Sequence, residues 1–151
     1  MLGRECLSRV LVDASARQSD PPAAPPRVDR LALAGFGAAL LSTLIPWSRF
    51  GDSSWLGAWR LQWSLLAALT AAAGVSLAII RRKRPIPPLL ETQAYAVLAL
   101  LVVAGSFLHL LNPPPLSAAT LTPWVAVAAG STVLVAALLR LASHLLGNER
   151  L

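Results

Sequence analysis

Few side chains in this 151-residue chain are suited to chemistry, and those few lie in or beside long apolar stretches. The ionisable ones are Glu91, His109, Arg140 and His144, and each counts as a functional hypothesis because a charged group at membrane depth is costly. Glu91 stands near the start of the apolar stretch 89–111, and Arg140 near the end of the stretch 124–146. Antiparallel packing of the two would bring them to one depth, which predicts a Glu91–Arg140 contact at the inner interface. Separate snorkelling of both side chains to the headgroups is the alternative. His109 and His144 fall at opposite ends of their stretches, so they share neither a metal nor a haem, and the sequence implies no cofactor. Ser106 and His109 share a helix face at i, i+3, but no orienting acid or oxyanion loop accompanies them, so no catalytic residue is assigned. Arg140 and His144, one turn apart, read as a basic collar.

The most concentrated charge is the run Arg81, Arg82, Lys83, Arg84. Its plain reading is a topological anchor with affinity for anionic lipid; a docking site for an acidic partner is the alternative. Missing motifs narrow the field further. There is no phosphate-cradling glycine loop, no HExxH and no paired mid-membrane carboxylate. The one cysteine, Cys6, allows no internal disulfide, CxxC pair or thiolate metal cage.

The elements that must position these residues follow from composition. With 56% hydrophobic and 13% charged residues and a mean hydropathy of +0.62, the chain is too apolar for a water-soluble domain of its length. A span needs about 20 apolar residues to cross a hydrocarbon core of roughly 30 Å, and four segments approach this: 31–47, ending at Pro46 and Trp47, then 61–80, 89–111 and 124–146. The stop Asn112-Pro113-Pro114-Pro115 and the prolines at 85, 87 and 88 stiffen two connections. Short connections predict an all-α integral membrane fold, a four-transmembrane antiparallel helix bundle. Small residues four apart, such as Gly35 and Ala39, Ala67 and Ala71, Thr70 and Gly74, and Ala126 and Gly130, supply its packing faces or a homodimer seam.

Orientation is read from the basic residues, which are retained on the cytoplasmic side. All of them except Arg49 and Arg60 fall before the first span, in the 81–84 run or at the chain end, so both termini are expected in the cytoplasm. The net charge of +6 is thus a topology signal rather than a nucleic-acid surface. All five tryptophans, Trp47, Trp55, Trp59, Trp63 and Trp124, fall near the opposite ends, as an interfacial belt requires. If the second helix starts near Ser53 or Ser54, Trp55, Trp59 and Trp63 form one stripe along it, facing lipid headgroups or a partner. Residues 1–30, with Pro21, Pro22, Pro25 and Pro26, read as a disordered proline-rich cytoplasmic tail holding at most a short amphipathic helix around Leu7–Val12, and 147–151 as a short C-terminal tail.

The stretch Leu44-Ile45-Pro46-Trp47, then Phe50-Gly51, Ser54-Trp55 and Trp59, resembles small uncharacterised four-helix membrane proteins of actinobacteria. In that family a first span ends in a Pro-Trp motif and an outer Ser-x-Trp or Ser-Gly-Trp segment leads into the second; here no glycine separates Ser54 from Trp55. The resemblance implies four spans and a high-GC Gram-positive source, consistent with twelve arginines to one lysine, and no activity or substrate. The expected role is a non-enzymatic accessory or scaffold subunit of the plasma membrane, partnered by lipids and by other membrane subunits or itself, with no nucleic acid. The alternative is a dimeric proton-coupled small-molecule transporter with Glu91 as the coupling acid.

Overall fold

The computed structural model describes residues 27–51, 54–57, 62–84 and 86–148. Among the described residues four helices carry the fold: α1 (Arg27–Ser42), α2 (Gln62–Arg81), α3 (Pro88–Leu111) and α4 (Thr122–Asn148). Three short strands, β1 (Pro46–Phe50), β2 (Ser54–Gly57) and β3 (Ala118–Ala119), form a sheet in the order β2-β1-β3. Each helix packs on its chain neighbours, and α1 also packs on α4, which closes a four-membered ring with little contact across its diagonals.

The packing is inverted relative to a water-soluble bundle. The buried stripe of α1 is Asp29, Ala32, Phe36, Ala39 and Ser42; that of α4 is Ala126, Gly130, Val133 and Ala137, each at helical spacing. Large aliphatic residues, among them Leu41, Leu69, Leu100, Val135 and Leu139, face outward. Such a surface suits lipid, where small residues let helices approach and burying leucine gains little. The segments Trp63–Arg81, Pro88–Leu111 and Thr122–Leu146 are long and apolar enough to cross a membrane. Two buried hydroxyls of α3 are satisfied within their own helix: Thr92 Oγ1 donates to Pro88 O at 2.7 Å and Ser106 Oγ to Val102 O at 2.7 Å.

Close approach is set by glycine at a few crossings. A Cβ on Gly105 would stand 2.9 Å from Trp63 O and 3.0 Å from Ala67 N, so α2 and α3 meet backbone to backbone there. A Cβ on Gly74 would meet the Phe36 ring at 2.5 Å, which is how an aromatic fits between α1 and α2.

Several expectations are corrected. The first helix has 16 residues, begins by Arg27 inside the expected tail, and ends at Ser42 rather than Trp47. At about 1.5 Å per residue it is roughly 24 Å long, short of a hydrocarbon core of about 30 Å. Pro46 and Trp47 instead open a strand, because a proline cannot continue the helix and the preceding chain turns at 43–45. The all-α reading therefore omits a small sheet, whose turn carries Gly51 at φ +56°. The second helix starts at Gln62 and Trp55 lies in β2, so Trp55, Trp59 and Trp63 do not form one helical stripe. Trp59, Cys6 and the 1–26 segment lie outside the described residues, as does the side chain of Trp55.

Candidate functional site

Two polar clusters occupy opposite ends of the bundle. At the first, every helix contributes one ionisable side chain: Asp29 from α1, Arg81 from α2, Glu91 from α3 and Arg140 from α4. Local sequence sets their height. Asp29 lies in the first turn of α1 and Glu91 in the first turn of α3, where an acid offsets the helix dipole; Arg81 lies in the last turn of α2, where a cation does the same. Pro88 at the α3 start fixes where that first turn begins.

Arg81 is the hub. Its Nε stands 2.7 Å from Glu91 Oε2, and its Nη1 pairs with Asp29 Oδ2. Arg140 Nη1 lies 4.0 Å from Glu91 Oε1, a looser contact. Glu91 is fully buried, and Arg81 and Arg140 retain 19% and 18% side-chain exposure, so the charges are withdrawn from solvent while the arginine stems reach the end of the bundle. Two acids and two guanidinium groups make the cluster neutral, the condition under which charges persist at such depth. One turn below Glu91, the Tyr95 hydroxyl is buried without a hydrogen-bond partner among the described residues, and its ring packs on Phe36 at 6.1 Å. The structure thus brings Glu91 and Arg140 to one site, but the close partner of Glu91 is Arg81.

That arrangement splits the basic run. Arg81 turns inward to the acids, whereas Arg82, Lys83 and Arg84 are exposed beyond it. Asp29 and the inward role of Arg81 were missed in the sequence. Asp29 was legible only as the charged edge of a span, and Arg81 was indistinguishable from its three basic neighbours.

The second cluster seals the other end. β1 pairs with β2 through Phe50↔Ser54, Arg49↔Trp55 and Ser48↔Leu56, and the register shifts between Pro46 and Ser48. This irregularity lets two successive residues, Trp47 and Ser48, both point inward where a regular strand would alternate them. Trp47 is fully buried, so the interfacial reading of this tryptophan is overturned; its indole N–H donates to Ser42 O at 3.0 Å, capping the end of α1. Trp63 and Trp124 are partly exposed, at 40% and 51%. His109, from the last turn of α3, lies with Nε2 3.1 Å from Ser48 Oγ and 3.3 Å from Trp47 O, its ring 5.5 Å from the indole. A carbonyl only accepts, so the tautomer with its proton on Nε2 serves both oxygens. Thr120 completes the clamp by donating from its N to Trp47 O at 3.0 Å and from Oγ1 to Pro46 O at 2.8 Å.

The chemistry these groups permit is limited. Ser106 is not brought to His109; its hydroxyl is held by the Val102 carbonyl. Ser48 and His109 are both buried, with the Trp47 ring packed beside the imidazole. His144 is exposed on α4, and among the described residues no three His, Cys, Asp or Glu side chains converge as a metal site requires. Comparisons with protein-family models, with curated proteins and with solved structures find no match to this chain.

Proposed function

We propose that this chain is a four-helix plasma-membrane bundle with both termini in the cytoplasm, acting as a non-enzymatic accessory or scaffold subunit within a larger membrane complex. The observation that supports this reading most is the neutral cluster of Asp29, Arg81, Glu91 and Arg140, one residue from each helix. Buried charges paired across all four helices fix their mutual register, a property suited to a rigid subunit. The pairing also weighs against the transporter alternative. A coupling acid must be reached from solvent during turnover, whereas Glu91 is fully buried with its Oε2 2.7 Å from Arg81 Nε. The positive-inside rule supports a cytoplasmic location for this end, since Arg30, Arg82, Lys83 and Arg84 cluster there while Arg49 lies at the other end.

Two experiments test the reading. Cys6 is the only cysteine, so Cys6→Ser gives a background for Lys83→Cys and Ser117→Cys labelling with an impermeant maleimide in intact cells. Labelling at 117 but not at 83 is expected; the reverse pattern refutes the orientation. Native mass spectrometry of the full chain, purified from its host in mild detergent, should return a recurring larger partner. A bare dimer whose proton-coupled transport disappears in Glu91→Gln would replace the scaffold reading with the transporter.

A further inference from the structure

We propose that the turn joining α2 to α3 is a binding site for the phosphate of an anionic phospholipid, held by Arg82, Lys83 and Arg84. Charge segregation carries the argument. Both described acids of this end, Asp29 and Glu91, are buried and committed to Arg81 and Arg140, so none of their charge is presented outward. Arg82, Lys83 and Arg84 are exposed and make no ion pair among the described residues, and exposed Arg30 adds a further positive charge at the same end. Arg81, though contiguous in sequence, belongs to the interior cluster and takes no part.

The surroundings select a lipid over a soluble acidic partner. Immediately before the basic turn Ile79 and Ile80 are exposed, and just after it Leu89 and Leu90 are exposed. The cations therefore sit on a rim of bare aliphatic surface. A phospholipid supplies both complements in one molecule, phosphate for the guanidinium and ammonium groups and acyl chain for the isoleucines and leucines. An acidic peptide would leave that rim uncovered. Because Arg82, Lys83 and Arg84 come from one turn stiffened by Pro87 and Pro88, the charges are presented together.

The inference rests on the membrane reading, and the test separates the two. Full-length chain in neutral detergent is titrated with phosphatidylglycerol, phosphatidylcholine or inorganic phosphate, and bound lipid is counted by native mass spectrometry. Phosphatidylglycerol should bind in preference to phosphatidylcholine, and Arg82→Gln/Lys83→Gln/Arg84→Gln should weaken it by on the order of 100-fold, about fivefold for each charge near a lipid surface. Arg49→Gln, which removes an exposed cation from the opposite end, should leave binding unchanged. The triple variant keeps Arg81, so an unaltered melting temperature shows that the bundle is intact. Equal binding of the two lipids, full retention in the triple variant, or displacement by inorganic phosphate at equal concentration would overturn the site. Release of the chain from membranes by alkaline carbonate would instead overturn the membrane reading itself.

Discussion

Replacing Glu91 by glutamine is the sharpest test of the charged cluster. The substitution preserves shape and removes one charge, leaving two guanidinium groups facing Asp29 alone, so a neutral buried cluster becomes +1. At the 2.7 Å separation of Arg81 Nε and Glu91 Oε2, an effective dielectric of ~20 gives a pairwise attraction of about 6 kcal/mol. Desolvation of both ions offsets much of this in the intact protein, but the variant keeps the desolvated arginines without their partner. The expected loss is therefore about 3–5 kcal/mol, the range seen when one member of a buried pair is removed. The assay is reversible unfolding of the full chain in detergent, followed by circular dichroism. Arg140→Met added to Glu91→Gln restores neutrality, so the double variant should be less destabilised than the sum of the singles by about 1–3 kcal/mol. Arg81→Met should be more damaging than Arg140→Met, because Arg81 touches both acids whereas Arg140 stands 4.0 Å from one. A Glu91→Gln variant within about 1 kcal/mol of the parent, or strictly additive effects in the double, would refute the idea that these charges hold the helices together.

Other substitutions probe the packing. Gly105→Ala should destabilise by about 1–3 kcal/mol, since its Cβ would meet backbone atoms of α2 that cannot turn aside. Gly37→Ala, with nothing within 4 Å, should be neutral or stabilising by up to about 1 kcal/mol; both are read as shifts in the same unfolding curve. Trp47→Ala should destabilise by about 3–5 kcal/mol as it empties the end of the bundle, and His109→Leu by about 1–3 kcal/mol as it leaves the buried Ser48 hydroxyl without its partner. If the tryptophan variant melts with the parent, Trp47 does not close the bundle.

How much was legible beforehand differs from element to element. The ends of α2 and α3 follow closely from the apolar stretches because both are bounded by strong local signals, the basic run after Ile80 and the prolines around 85–88 and 113–115. The end of α1 was misplaced because Leu44, Ile45 and Trp47 are as apolar as the helix before them, and hydropathy carries no information on backbone path. The sheet was missed because its strands have five, four and two residues, too short for a period of two to stand out. A better signal was present in Gly51-Asp52, a turn pair between the aromatic-containing segments 46–50 and 54–57.

By itself the sequence determined the solvent this chain is built for, the approximate position of its long helices and the segregation of its basic residues, since these depend on residue type and on spacing along the chain. Only the tertiary structure decided that Arg81 serves the interior while Arg82, Lys83 and Arg84 serve the surface, that Asp29 and Glu91 share one arginine, and that Trp47 and Ser48 turn inward against His109. The reason is physical. Contacts such as Asp29 with Arg81 and Ser48 with His109 join residues more than fifty positions apart, and their energies depend on distances of a few ångströms and on burial, quantities that exist only once four helices have closed on one another.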